Sequence, residues 1–150
     1  MDKTLISRRF AKAVGTYLDK ADVQRYVASR MAELTGRYIP ADVQERVLEI
    51  GCGTGMFTRM YLKQAAPEEM WLNDLCPEVE PYLADVLGGK VHFVAKDAET
   101  LAFPAGQDLI VSCSAVQWFD DLPRFFSGCR KLLHEGGYLA FSTFGPHNTE

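Results

Sequence analysis

The stretch VLEIGCGTG, Val47 to Gly55, constrains the fold more than any other part of the chain. Apolar residues run into a loop in which every second residue is glycine, and a helix-compatible stretch from Gly55 to about Gln64 follows. This is the order strand, tight loop, helix. Glycine is needed where the backbone adopts a conformation that side chains forbid, or where a ligand approaches the backbone closely. One glycine would make the turn, so three at alternating positions point to a ligand lying against the loop.

The same order repeats downstream. RVLEI, MWLND, VHFVA, DLIVSCS and GGYLAFSTF read as five strands. Helical stretches are expected over about 55–64, 77–87 and 122–133. Strands alternating with helices predict parallel βαβ units, hence an α/β, doubly wound, mostly parallel Rossmann-like sheet. In such sheets the ligand sits beyond the carboxyl ends of the strands, where the strand order reverses. The loop after the first strand lies there. Upstream, Val23, Val27, Met31 and Leu34 recur at three- and four-residue steps and predict an amphipathic helix ending near Gly36. A shorter helix is expected over 4–18. The expected organisation is an N-terminal helical lid, 1–40, on a ligand-binding Rossmann-like domain, 41–150.

Composition removes several functions. The net charge of −4 argues against nucleic-acid binding, which needs a basic face. No run of about 18 apolar residues exists, so no membrane-spanning helix is expected. MDKTLISRRFAKAVG lacks the apolar centre of a secretory signal. Cys52, Cys76, Cys113 and Cys129 lie far apart, with no CxxC pair. They read as reduced thiols of a cytoplasmic protein rather than as disulfides or a zinc site. The three histidines, His92, His134 and His147, read as surface or packing residues, and no metal is expected.

The loop also excludes ligands. A phosphate-binding P-loop places Lys-Ser/Thr after its last glycine, whereas Met56 and Phe57 follow here. A dinucleotide fingerprint, GxGxxG, sets its third glycine one position later, which argues against a nicotinamide dehydrogenase. No lysine or arginine stands beside the glycines before Arg59, so the bound anion is small. A carboxylate at the helix start and an amine beside Glu49 together describe an amino acid.

Glu49, Gly51, Cys52, Gly53 and Gly55 form an ExGxGxG pattern that resembles motif I of the class I S-adenosylmethionine-dependent methyltransferases. The resemblance covers about residues 46–144. It implies S-adenosylmethionine as cofactor, its methionyl end at Glu49 and the glycines. It also implies Asp74 on both ribose hydroxyls and Leu75 over one adenine face. Asp97 would reach the adenine amino group and the Ala98 N–H a ring nitrogen. Ser114 and Ala115 would lie beside the sulfonium.

SAVQWFDDLPRFF and LAFSTFGP are similar to the malonyl-acyl-carrier-protein O-methyltransferase family of biotin synthesis. So is the N-terminal arrangement Phe10, Ala13, Tyr17, Ala21 and Gln24. This implies methyl transfer to the free carboxylate of a malonyl thioester, on acyl-carrier protein or coenzyme A. That carboxylate is ionised at neutral pH, since carboxyl pKa values lie near 4 or below. No catalytic base or triad is therefore expected. Tyr17, Gln117 and Trp118 are the pocket candidates, and Tyr17 and Gln24 would face the methionine end. Arg8, Arg9 and Lys12 form a solvated helix face or greet an acidic carrier.

Two departures from the family bear on this. Its members carry two further strands and a helical insertion after the fifth strand, and the guanidinium partner for the malonyl group is not identifiable here. The expectation is an open edge on the strand holding Tyr138 to Thr143, inviting self-association. Other acceptors (a quinone, an arsenical, another free acid) and a non-catalytic cofactor-binding fragment remain open at this stage.

Overall fold

The computed structural model describes residues 20–113 and 119–142. Helix α1, Lys20–Tyr38, opens it. It buries Val23, Val27, Ala28, Met31, Ala32 and Thr35 along one face, the expected stripe. Gly36 does not end it; two further residues do. After a 3-10 turn at Ala41–Val43 come β1, Arg46–Ile50, and α2, Met56–Leu62. Strand β2, Glu69–Asp74, a 3-10 segment at Pro77–Leu83 and β3, Val91–Ala95, follow. A 3-10 turn at Ala98–Thr100 leads to β4, Gln107–Ser112, then α3, Leu122–Leu132, and β5, Leu133–Phe141.

The five strands stand in the order β3-β2-β1-β4-β5, and each neighbouring pair is parallel. The chain builds outward from β1 to β3, then returns to place β4 beside β1. The order therefore reverses between β1 and β4, and the glycine loop leaves the sheet at that point. Beyond β5 the described residues supply no further strand.

Alternation along the strands sorts two apolar layers. Val47, Met70, Leu72, Leu109 and Val111 share a core with Ala28, Met31 and Ala32 of α1 and Phe57 and Tyr61 of α2. Leu48, Ile50 and Ile110 face the other way, onto Phe103, Phe125, Cys129 and Leu132. Each such side chain, fully buried, contributes about 1.5–3 kcal/mol. Glu49 belongs by parity to the α1/α2 face. The expected boundary near residue 40 falls in the short turn, and the residues on either side of it share this core.

Two expectations are corrected. The stretch 77–87 is a 3-10 segment ending at Leu83, not an α-helix. Pro77 fits its first turn, but Pro81 inside it cannot donate the hydrogen bond an α-helix needs. Strand β5 also starts earlier than Gly136. Leu133 is already extended and pairs with Gln107, and a register shift follows before Tyr138 pairs with Leu109. The expected helix over 4–18 lies outside the described residues.

Candidate functional site: a glycine-floored cavity at the end of β1

The loop after β1 turns on three glycines with positive φ: Gly51 at 70°, Gly53 at 55° and Gly55 at 95°. The two later ones do different work. A Cβ on Gly55 would come within 2.8 Å of both Leu83 Cδ2 and Arg59 Nη1, so this position is closed by packing. A Cβ on Gly53 would meet nothing within 4 Å. Gly53 also lines a cavity of about 110 Å³.

Gly51, Cys52, Gly53 and Thr54 form the cavity's floor, and Met56 and Phe57 of α2 one wall. Gln24, Val27 and Ala28 of α1 form a second wall, and Cys113 after β4 a third. Glu49 enters from β1. Only 2% of Glu49 is exposed, and its Oε1 accepts a 2.5 Å hydrogen bond from the Thr58 hydroxyl. Among the described residues no donor bonds Oε2. Burial pushes the Glu49 carboxyl up to about 7; the Thr58 bond opposes the rise and the nearby Asp74 charge adds to it. Burial, and then the Glu49 charge, also raise the Cys52 and Cys113 thiols, so both stay neutral and poorly nucleophilic.

Asp74, at the end of β2, fastens the loop. Its Oδ2 accepts from Gly53 N at 2.8 Å, and its Oδ1 accepts from Cys76 N at 3.0 Å. A carboxylate offers about four acceptor sites, so two remain for hydroxyls. The turn role and a ligand role are thus compatible. Leu75, beside it, is an apolar side chain 68% exposed among the described residues. Asp97 caps the next 3-10 turn by accepting from Glu99 N at 2.9 Å, and Ala98 is buried beneath it. Leu75, Asp97 and Ala98 do not line the cavity. They follow the ends of β2 and β3, which are neighbours in the sheet.

Arg59 is committed elsewhere. It donates to Thr54 O at 2.6 Å, to Tyr82 O at 2.6 Å, and twice to Asp85 at 2.7 and 2.8 Å. It ties the loop to the 3-10 segment and offers no cation to the cavity. Helix α2 has 7 residues, so its dipole is smaller than the expected 55–64 helix would supply.

The structure thus brings Gln24, Glu49, Gly51, Cys52 and Gly53 to one cavity, with Asp74 bonded to its floor. Gly55 supports the loop from behind. Tyr17, Ser114, Gln117 and Trp118 lie outside the described residues. Sequence reading missed Thr58, whose signal was a hydroxyl within the buried stripe Phe57, Thr58 and Tyr61 of α2. It read Cys113 only as a reduced thiol. His92 pairs with Glu69 and His134 with Asp108. Among the described residues no three His, Cys, Asp or Glu side chains gather as a metal site, and no helix is long and apolar enough to cross a membrane.

Comparison with known proteins places the chain in a family. The chain is 50% identical over 149 residues to the malonyl-[acyl-carrier protein] O-methyltransferase of Bacteroides thetaiotaomicron, covering 99% of this chain and 57% of the relative. It is 34% identical to the protein of that name from Acinetobacter baylyi, with the same two coverages. The chain therefore spans a little over half the length of these curated relatives. Among solved structures, an S-adenosylmethionine-dependent methyltransferase from Mesorhizobium loti superposes with a TM-score of 0.64 at 24% identity, covering 80% of this chain and 53% of that one, which shows the shared fold. The methyltransferase domain family matches residues 48–141, from within β1 to the end of β5. The chain belongs to the methyltransferase domain family.

Proposed function

We propose that this protein transfers a methyl group from S-adenosylmethionine to the free carboxylate of a malonyl group carried as a thioester on acyl-carrier protein, a step of biotin precursor synthesis. The observation that carries the cofactor part is one cavity lined by both Gly53 and Glu49, whose Oε2 has no donor among the described residues. An ammonium and a carboxylate on one carbon fit that pair of features. Their relatives' names, at 50% and 34% identity, support the acceptor.

The cradle fits the cofactor at each end. Glu49 and Gln24 would hold the ammonium end, and Gly51, Cys52 and Gly53 would pass close along the backbone. Asp74 has acceptor sites left for two ribose hydroxyls. Leu75 would cover an adenine face, and Asp97 and the Ala98 N–H would meet the adenine edge. Ser114 would lie beside the sulfonium, and Tyr17, with Gln24, at the methionine end, while Gln117 and Trp118 are the candidates for the wall of the substrate pocket. When bound, the cofactor supplies an electrophilic methyl group.

The protein's share is then alignment and exclusion of water. The acceptor carboxylate is already ionised at neutral pH and needs no base. Among the described residues the titratable groups lining the cavity are Glu49 and two neutral thiols. Holding acceptor, methyl and sulfur in line can supply on the order of 7–11 kcal/mol of the barrier.

Titration with S-adenosylhomocysteine, with NAD as control, tests the first half. Micromolar binding with no response to NAD is expected. Incubation with S-adenosylmethionine and malonyl-acyl-carrier protein, malonyl-coenzyme A or other free acids tests the second. A methyl ester on the carrier-linked malonyl group is expected by mass spectrometry. Binding without that ester would leave a cofactor-binding unit and sink the acceptor assignment.

A further inference from the structure

The Thr58 hydroxyl is 0% exposed, and its one acceptor is a carboxylate that is itself buried. Such a bond is stronger than a neutral one, because the acceptor carries charge. It also reaches back nine residues, from the second layer of the fold to the strand that supports the loop. We propose that Thr58 is a positioning residue for the ligand's ammonium: it occupies Oε1 of Glu49 and leaves Oε2 to the cavity. This rests on the cofactor reading above.

The surroundings make the hydroxyl decisive. From β2, Asp74 faces Glu49 with a like charge; from the loop and from β4, the neutral thiols of Cys52 and Cys113 face it. Helix α1 presents Gln24, which is uncharged, to the same cavity. No lysine, arginine or histidine among the described residues bonds to Glu49. Burial and Asp74 both favour its protonated form, and only the Thr58 bond opposes them. A protonated Glu49 offers a cation no charge. Cofactor binding therefore expels a proton from Glu49 near neutral pH, and Thr58 decides how low in pH that remains possible.

The test is calorimetric titration of the wild-type chain, Thr58→Val and Thr58→Ser with S-adenosylhomocysteine across about pH 5.5 to 8.5. 5′-Methylthioadenosine, which lacks the amino-acid end, is the second probe. Wild-type affinity for S-adenosylhomocysteine should rise about tenfold per pH unit below a midpoint near 7, then level off. For Thr58→Val the midpoint should move up by roughly one unit or more, the worth of a hydrogen bond to a charged group. Thr58→Ser should restore it. Affinity for 5′-methylthioadenosine should stay within about twofold at every pH, which a merely structural loss would not permit.

Equal midpoints for wild type and Thr58→Val would overturn the proposal. Should Thr58→Val fail to fold, wild type alone still decides. Titration in buffers of different ionisation heat should show about one proton released per S-adenosylhomocysteine near pH 6.5 and none for 5′-methylthioadenosine. No release would overturn the proposal, since Thr58 would then have no charge to set. Wild type that binds neither probe would instead sink the cofactor reading.

Discussion

Two buried carboxylates stand at opposite ends of the sheet, and the fold treats them differently. Asp108, at the amino end of β4, is 7% exposed and accepts from Glu45 N at 2.9 Å, from Arg46 N at 2.8 Å, and from His134. Glu49, at the carboxyl end of β1, is 2% exposed and receives one hydroxyl. The first acid fastens β1, β4 and the start of β5 together. Among the described residues the second has no donor on its other oxygen, beside the cavity. A buried polar group with few partners is a cost to the fold, and this one stands at the end of the sheet where ligands bind.

Exchanging the side chains sharpens that contrast most. Glu49→Gln keeps the shape and the acceptor for Thr58 but removes the charge. Affinity for S-adenosylhomocysteine should fall by about 10- to 100-fold at pH 8. Stability should move the other way. The Glu49 pKa is raised from 4.5 to about 7, so below about 4.5 both folded and unfolded chains are protonated. As pH rises the unfolded chain ionises first, and stability is lost progressively up to about 7. The Gln variant escapes that loss and should be more stable above pH 7 by about 3 kcal/mol, with no advantage at pH 4. Asp108→Ala should do the reverse, costing about 2–3 kcal/mol in denaturant melts while ligand affinity stays within about twofold. Denaturation midpoints and calorimetry on the same samples would expose the contrast as false if both variants moved the same quantity.

A second pair divides the glycine loop in the same way. Gly55→Ala places a methyl group against Leu83 in a left-handed conformation and should cost about 2–3 kcal/mol. Gly53→Ala strains the backbone by about 1–2 kcal/mol but enters open space, so stability falls less. Its ligand affinity should nevertheless drop by roughly tenfold or more, because that space is where the ligand would approach the backbone. Equal losses of stability and affinity at both positions would contradict the division of labour.

The smallest expected effect is at His134. Its pKa is raised, first by the Glu135 carbonyl and then by Asp108. A raised histidine pKa gives stability that is fully present at low pH and lost as pH rises through the folded value. The wild type should therefore be slightly more stable than His134→Gln at about pH 5.5, with the difference shrinking as pH rises. A difference that grew with pH would mean that the imidazole is not held as a cation.

Much of the candidate site was legible because it is local. Glu49, the three glycines, Asp74 and Asp97 each sit at or just after a strand end, and strand ends follow from apolar runs and their punctuation. The length of the 77–83 segment was not, since apolar periodicity outweighed Pro81 in the reading and the backbone obeyed the proline. Thr58 stayed hidden for a different reason. Its hydroxyl looks like any helix surface group until α2 folds back over β1.

The sequence by itself determined where the strands and helices fall, which loop is built for close backbone approach, and which acids stand at its edges. These are properties of short segments: periodicity, turn residues and steric freedom. Tertiary structure alone decided that β4 returns beside β1, that α1 supplies a wall of the cavity, and that Arg59 is consumed by Asp85 and two carbonyls. It also decided that, among the described residues, one buried acid gathers three donors and the other a single hydroxyl. Each of these depends on which surfaces meet across tens of residues, and the apolar patterns that drive burial do not say which partner a face will find.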